Sequence, residues 1–548
     1  MQNHYFNQEI DNGLRYIKTS PRQQITDFNS IPIPDRSSVN YDKYASYPNE
    51  AMVTYCISLQ GTRGCPYNCI FCHKIWPKNH IFRSAENIIE EIKIYYEMGI
   101  KRFAFIDDIF NLNQENSTRF FESIIKSGMK IDIFFPNGTR GDIMTKDYID
   151  LMVEAGTVYI PMALETASPR LQKLIKKNLN LEKLHENITY LCEKYPQVIS
   201  SLFFMVGFPT ETEEEALMTI DFVKNIKWLH FPELHAVTIY PGTEIAKLVL
   251  ENGISKDTIS KNESKGFHEL PETLPFADKT FVPRLRTFFL KQYWLNKERL
   301  LKVLPGEMKL MTESEIVRLY NSFLQVGFRE LPDLLKFFRI TQEELGINTC
   351  LDEAAIQISN LHEKMKNHFH QIEPEPESLK ILLLDVTHFF SSGQTNVFTA
   401  FVEPPLGLMY LVSYLKKRFG SQVNYRIAKS FIDFDSYKEL QEIINDFKPD
   451  FIGLRCLTFH KKFLHETIGK IREWGINVPI IVGGPHATSA YEEILLDNNV
   501  DLVVIGEGEV TLGELVEKSL VNGRKLPQDD VLREISGIAF VPKEKKAV

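Results

Sequence analysis

The sequence predicts an α/β protein with two separate sheet-forming regions and a helical insert between them. Two stretches, about 50–245 and 378–548, alternate short apolar strands with amphipathic helices, the pattern of parallel βα units. Six βα repeats in the first suggest an open or partial (β/α)6 barrel. The second reads as a doubly wound, Rossmann-like sheet. Between them, residues 246–377 carry helical periodicity alone and many aromatics.

A 548-residue chain exceeds what one core can bury, so about three domains are expected. With 43% hydrophobic and 25% charged residues the composition is that of an ordinary globular protein. The net charge of −9 argues against a surface that coats nucleic acid. No basic tract or added small β-barrel for RNA is evident. The N-terminal residues lack a basic-then-apolar signal pattern, and no apolar run approaches the ~20 residues of a membrane span. Seven cysteines, three of them clustered, suit a reducing compartment. A cytoplasmic location is expected.

Residues 1–49 are poor in helical periodicity and rich in Pro, Asp, Asn and Ser. They contain one strand-like piece, Leu14–Thr19, and an extended arm through Ile31-Pro-Ile-Pro-Asp-Arg36. In the first βα region strands are predicted at 52–59, 102–106, 131–135, 157–164, 200–206 and 234–240. Helices are predicted at 84–98, 114–127, 145–155, 168–193 and 212–226. The insert is expected to be helical near 285–296, 313–326 and 331–338, and to close on a Pro-Glu-Pro-Glu linker within 373–377. In the last region the predicted strands are 379–386, 422–428, 451–456, 479–482, 502–505 and 537–541. Its helices are 407–419, 436–447, 460–474, 489–497 and 511–522.

The chemistry concentrates after the first strand, in Gly61-Thr-Arg-Gly-Cys65-Pro-Tyr-Asn-Cys69-Ile-Phe-Cys72. Three thiolates in one short loop can converge on a soft metal centre. A [4Fe–4S] cluster held by four cysteines has no vacancy, whereas three cysteines leave one iron open. The residues alone leave a Cys3His zinc site through His73 or His80, or merely buried thiols, as alternatives. Zinc sites usually add a second cysteine pair, and none follows.

In parallel βα folds ligand groups sit at the carboxyl ends of strands. Those ends carry Asp107-Asp108, Asn137-Gly-Thr-Arg140, Glu165-Thr166-Ala-Ser168, Met205-Val-Gly207 and Tyr240-Pro-Gly-Thr243. Glu213, Glu214 and Glu215 read instead as first-turn helix acids favoured by the dipole. In the last region the corresponding loops are Glu403-Pro-Pro-Leu406-Gly407-Leu-Met409, Arg455-Cys456-Leu457-Thr458, Gly483-Gly484-Pro485-His486-Ala-Thr488 and Gly506-Glu507-Gly508-Glu509. Paired glycines there let a bulky ligand approach the backbone. None is a dinucleotide fingerprint or a P-loop.

The cysteine spacing, with Phe71 before the third cysteine, resembles the signature of the radical S-adenosylmethionine (SAM) superfamily. The resemblance implies a [4Fe–4S] cluster on Cys65, Cys69 and Cys72, with SAM chelated to the open iron and cleaved to a 5′-deoxyadenosyl radical. It carries SAM contacts onto Phe71, Asp107, Asp108, Arg140, Glu165, Thr166, Met205, Gly207 and Tyr240. The last region resembles the cobalamin-binding domain of cobalamin-dependent radical SAM enzymes, through Pro-Pro-Leu-Gly-Leu, Gly-Gly-Pro-His-Ala-Thr and Gly-Glu-Gly-Glu. This implies cobalamin contacts at Gly393, Leu406, Gly407, Arg455, Cys456, Leu457, Thr458, Gly483, Gly484, Pro485, His486, Gly506, Glu507, Gly508 and Glu509.

Two departures from that family stand out. The mutase pattern Asp-x-His-x-x-Gly is replaced by Asp385-Val-Thr-His388-Phe-Phe-Ser-Ser-Gly393, so cobalamin without a protein His ligand is expected. Arg455, His460 and His486 are the other residues placed to reach its lower face. The cobalamin region also follows the radical region, where most relatives have it first. The end Ile535–Phe540 and the arm Leu14–Arg36 look like consecutive pieces cut within one hairpin. Residues 14–19 are therefore predicted to pair with 536–541.

The resemblance implies a methyltransferase that uses SAM twice, once to methylate cobalamin and once to generate the radical that opens a substrate carbon. The expected partners are a small-molecule or peptide substrate and a reductant such as flavodoxin or ferredoxin. The alternatives are a non-methylating ring contraction, cyclisation or oxidation, and a cobalamin sensor without catalysis. The carboxyl ends of both sheets are expected to face each other, with the 246–377 helices walling the cavity.

Overall fold

A computed structural model describes residues 5–9, 15–72, 78–240, 242–256, 258–259, 281–324, 326–393 and 401–542. The arm supplies β1 (Tyr5–Glu9) and β2 (Arg15–Thr19). The first βα region supplies β3 (Cys56–Leu59), the hairpin β4 (Thr62–Arg63) and β5 (Ile81–Phe82), then β6 (Arg102–Phe105) and β7 (Asp132–Phe134). It ends with β8 (Thr157–Glu165), β9 (Ile199–Val206) and β10 (Phe231–Ala236). Six strands pair in the order β3-β6-β7-β8-β9-β10, all parallel, leaving β3 and β10 as open edges. That is the open six-unit sheet the alternation predicts.

Helices Ala85–Glu97, Gln114–Ser127, Lys146–Glu154, Leu181–Lys194 and Glu213–Lys224 start where the sequence offers a cap. Side chains of Ser84, Asn113, Thr145, Asn180 and Thr212 each accept an N–H of the first turn. The acids at 213–215 are first-turn residues, and Glu215 closes a capping box with Thr212. Three predicted spans change. The helix 168–193 breaks into Pro169–Leu174 and Leu181–Lys194, with Lys176 and Asn178 in left-handed backbone between them. β3 begins at Cys56 because Met52 and Tyr55 take left-handed backbone (φ 66° and 49°). β10 begins at Phe231, earlier than the predicted 234, because an edge strand tolerates Pro232.

The last region supplies β11 (Leu379–Asp385), β12 (Val423–Lys429), β13 (Phe451–Arg455), β14 (Ile480–Gly483), β15 (Leu502–Val504) and β16 (Ile538–Phe540). The order β12-β11-β13-β14-β15 is parallel, with the chain reversing its winding between β11 and β13. Such a switch point opens a crevice at the carboxyl ends. β16 and β2 extend the sheet antiparallel, pairing Ala539 with Lys18 and Phe540 with Ile17, as predicted for the displaced arm. Helix Gly484–Leu495 begins five residues before the predicted 489, with Pro485 in its first turn, and helix Gly508–Val521 begins before 511. Three of the expected ligand loops are thus partly helix N-termini, since helix Leu406–Phe419 likewise starts within the loop Glu403–Met409.

From β2 the arm runs between the two sheets. Arg22 pairs with Glu514 at 2.5 Å, the Asp35 N–H donates to Ser413 Oγ, and Asp35 pairs with Lys416. Arg36, fully buried, meets Glu91 at 2.7 Å and the Tyr95 hydroxyl at 2.8 Å. A buried pair of this kind fixes position more than it stabilises.

The insert corrects an expectation. Among the described residues, only its first helix, Glu244–Glu251, packs at the carboxyl end, where Ile245, Ala246 and Val249 lie against Ile70 of the cysteine loop; the helices after Lys297 do not wall that space. Lys297–Leu310 and Glu313–Leu324 close the amino ends of the first sheet. There Arg299 donates to the carbonyls of Leu229 and His230, and Arg102 donates to the Leu310 carbonyl and to Glu315. The aromatic residues drive this placement: Trp294, Tyr320 and Phe323 pack on Phe231 of the edge strand. Helix Phe281–Phe289 and the turn Leu290–Trp294 run along β10 itself.

Candidate functional site

The cysteine loop leaves β3 through β4 and is held by the next strand's end. Asp107 accepts the N–H groups of Gly61 and Thr62, and Asp108 accepts that of Gly64, whose φ of 87° favours glycine. Burial pushes the Asp107 carboxyl up to about 7, opposed by those hydrogen bonds. Beneath the loop Ile70 joins an apolar cluster with Ile175, Phe208 and Ile239, and the Ile70 N–H donates to the Ile175 carbonyl. Phe71 lies 6.2 Å from Phe208, ring to ring.

Burial pushes all three thiols up, Cys72 to about 11, where Cys69 and Cys65 add to the rise. Lys177 acts against that rise at each of the three. Three soft donors beside a cation suit an iron–sulfur centre. Among the described residues no three His, Cys, Asp or Glu side chains meet at the distances one bound ion requires. A ring nitrogen of His80 is engaged by the Ile109 carbonyl at 3.1 Å, and His73 lies outside the described residues.

Around this loop the strand-end residues divide. Glu165 ends β8 in left-handed backbone (φ 65°) and pairs with Lys177 at 2.8 Å, next to Cys69. Arg140 pairs with Asp142 at 2.9 Å and lies 3.9 Å over the ring of Tyr67 in the cysteine loop. Met205 joins the apolar cluster under the loop, and Tyr240 is half-buried at the β10 lip. Thr166 points elsewhere: it is buried against Thr219 of helix Glu213–Lys224. The N–H groups of Gly207 and Phe208 both donate to Glu211, whose carboxyl burial pushes up to about 7. Lys177 was missed by sequence reading, since it sits at no recognisable spacing.

At the carboxyl end of the second sheet, a Cβ added at Gly407 or Gly506 would meet nothing within 4 Å, and at Gly483 only Val504 at 3.8 Å. Leu457 is exposed at the same lip, while Thr458 and Cys456 are buried beneath it. This is a cradle of backbone open to a bulky group, and it fits a corrin. Gly484 differs, for its Cβ would strike Arg455 at 2.9 Å. His486 is buried against Thr458 at 3.3 Å, and Pro485 is first-turn backbone beside it. Gly393 ends the short turn Ser391–Gly393.

Below the cradle Asp385 is fully buried between Lys429 (3.4 Å) and Arg455 (2.7 Å). Despite burial, those two cations hold its carboxyl well below the usual range. Burial, with Lys429, lowers His388 to about 4, and a ring nitrogen, Nε2, meets the Phe401 carbonyl at 2.9 Å. Burial also lowers His460 to about 3. Both rings are neutral near pH 7.

The two lips meet at Arg63, two residues before Cys65. Its guanidinium donates to Glu507 at 3.1 Å and Glu509 at 2.6 Å, and lies over the rings of Phe28 (4.5 Å) and Tyr410 (5.3 Å). Glu507 also accepts the Ile25 N–H at 2.7 Å. Beyond β10, a Cβ at Gly242 would lie 3.4 Å from the Ser489 carbonyl. The carboxyl-end loops of the two sheets are therefore in contact, as expected.

Comparison with known proteins agrees with this division. Residues 59–223 match the radical SAM superfamily, and residues 398–516 match the B12 binding domain. The uncharacterized methyltransferase PH0819 of Pyrococcus horikoshii is 30% identical over 239 residues, 43% of this chain and 50% of that one. The cytidylyl-2-hydroxyethylphosphonate methyltransferase of Streptomyces wedmorensis is 29% identical over 201 residues, covering 35% and 37%. The chain thus spans half or less of these relatives' lengths. Among solved structures, the cobalamin-dependent SAM radical enzyme OxsB aligns over 66% of this chain and 58% of its own at 14% identity, with a TM-score of 0.38. No helix of the described residues is long and apolar enough to cross a membrane. The chain carries a radical SAM domain and, C-terminal to it, a B12 binding domain, and these domains imply SAM, a [4Fe–4S] cluster and cobalamin as cofactors.

Proposed function

We propose that the chain is a cobalamin-dependent radical SAM enzyme that transfers a methyl group from SAM to an unactivated carbon of a small-molecule or peptide substrate. A reductant of the flavodoxin or ferredoxin kind supplies its electrons. When bound, the cofactors supply reductive cleavage of SAM and methyl transfer. The chain's own residues hold, orient and enclose them. Cys65, Cys69 and Cys72 would hold the cluster, while Asp107 and Asp108 fix the loop that carries them. Glu165, kept in strained backbone and paired with Lys177, and Arg140 over Tyr67 form the charged lip facing the SAM side. Gly407, Gly483 and Gly506 leave room for the corrin, with Leu457 as an apolar contact. The hydrogen bond already made by His388 favours cobalamin without a histidine ligand.

The observation that carries this reading is the buried bridge from Arg63 to Glu507 and Glu509, which holds the cysteine loop beside the second cradle. Two cofactors serving one reaction require such a fixed separation. The test is anaerobic reconstitution with iron, sulfide and hydroxocobalamin, then incubation with methyl-deuterated SAM, reductant and a fractionated metabolite or peptide pool. The expected result is 5′-deoxyadenosine, S-adenosylhomocysteine and one product carrying the labelled methyl. 5′-Deoxyadenosine without a labelled product would move the reading to a non-methylating reaction. Bound cobalamin with neither would leave a sensor.

A further inference from the structure

Arg140 lies beyond the end of β7, buried beside the cysteine loop. Its backbone is fixed by one side chain: Asn111 Oδ1 accepts its N–H at 3.1 Å, and Asn111 Nδ2 donates to its carbonyl at 3.0 Å. Its guanidinium is committed within the same lip. Nε and Nη2 donate to the two oxygens of Asp142 at 2.9 and 3.2 Å, and Nη2 also donates to the Asn178 carbonyl at 3.2 Å. A planar fork bound in this way is held in one orientation. Its flat face then lies 3.9 Å from the ring of Tyr67, which stands between Cys65 and Cys69 in the chain.

The Asn178 carbonyl belongs to the turn that carries Lys177. Lys176 and Asn178 take left-handed backbone (φ 56° and 50°), which a lysine adopts only where its surroundings hold it. Three contacts hold this turn. Arg140 donates to the Asn178 carbonyl, Asp142 Oδ2 accepts the Asn180 N–H at 3.1 Å, and the Gln172 carbonyl accepts the Lys177 N–H at 3.2 Å. The turn delivers Lys177 to Glu165 at 2.8 Å. One buried guanidinium thus touches the cysteine loop with its face and the Lys177 turn with its edge.

We infer that Arg140 is a positioning residue, which acts through Tyr67 and Asn178 to fix the cysteine loop and the Lys177 turn at one separation. Three thiols and a cation serve one centre only if such a separation is kept. That the fixed loop carries a cluster rests on the reading proposed above. That Arg140 fixes the loop does not.

The test is amide hydrogen exchange on the full, metal-free chain, with the amides of β11 as the reference for global opening. It is read at Ile70 in the loop and at Lys177 in the turn, whose N–H groups donate to the carbonyls of Ile175 and Gln172. Tyr67→Leu removes the stack and leaves the Arg140–Asp142 pair in place. Exchange at Ile70 should rise ten-fold or more against β11, while Lys177 stays as it was. Tyr67→Phe keeps the ring and should exchange like the unaltered chain. Arg140→Met should speed both sites, and Tyr67→Leu added to it should make Ile70 no faster than Arg140→Met alone. After reconstitution with iron and sulfide, SAM is titrated against the EPR spectrum of the reduced cluster. The half-saturating SAM concentration should rise ten-fold or more in Tyr67→Leu and recover in Tyr67→Phe, although neither change removes a charge. Unchanged exchange at Ile70 in Tyr67→Leu, or effects of the two substitutions that simply add, would overturn the assignment while leaving the methyl-transfer reading intact. An unaltered chain that binds no iron and sulfide would overturn the cluster reading while leaving the exchange result standing.

Discussion

Arg63 Nη2 donates to Glu509 Oε1 at 2.6 Å across the two sheets, with both side chains almost wholly buried. Arg63 precedes the first cysteine of the loop by two residues, and Glu509 lies in the first turn of a helix at the second cradle. The first cysteine is thereby anchored to the second domain through one guanidinium.

Removing that guanidinium leaves two buried carboxylates without their cation, which costs roughly 3–5 kcal/mol in comparable sites. Arg63→Ala should lower the urea midpoint of the full chain accordingly. Arg63→Lys should recover part of it, because an ammonium keeps the charge but not the fork that reaches both Glu507 and Glu509.

Cys69→Ser removes one of three thiols from the cysteine loop without touching the second sheet. Iron and sulfide bound after reconstitution should fall to background, while hydroxocobalamin binds as in the unaltered chain. Loss of both together would mean that the loop and the cradle fold as one unit.

Gly407 sits in helix Leu406–Phe419, and a Cβ added there would meet nothing within 4 Å. Gly407→Leu should therefore leave the melting temperature unchanged or raise it, since leucine is favoured over glycine in helices by about 0.5–1 kcal/mol. The same side chain fills the cradle, so cobalamin affinity should drop ten-fold or more by equilibrium dialysis. A stable variant that still binds cobalamin normally would place the corrin elsewhere.

His230 is buried, with Ser200 as its polar neighbour, and burial together with Arg299 lowers its ring to about 3. The unfolded ring titrates near 6.5, so the unfolded state gains a proton that the folded state refuses. Stability from this group is full above 6.5 and is lost as the pH falls towards 3. Between pH 7.5 and 5.0 linkage gives about 2 kcal/mol of loss. His230→Asn should remove most of that part of the pH dependence, measured from urea midpoints at the two pH values.

Much of the fold was legible because it is written in local periodicity. The helix 114–127 and the strand 102–105 were found almost to the residue, and the pairing of the arm with β16 followed from a hairpin cut in two. Errors came where local signals mislead. Pro232 hid the start of an edge strand, and Gly484-Pro485 read as loop although proline suits a helix's first turn. The insert's aromatics said helix but not which surface they cover.

What the sequence by itself determined is the chemistry on offer: three thiols in one loop, glycines at the ends of a second sheet, and the order of the two domains. Those depend on residue type and short spacing, which a chain displays directly. The tertiary structure decided which charges meet. Lys177 acting on the cysteines and Arg63 between Glu507 and Glu509 some 444 to 446 residues away both arise from packing between distant segments. Ion pairing depends on distances of a few ångströms and on exclusion of water, and neither is set until the sheets and the arm have closed on one another.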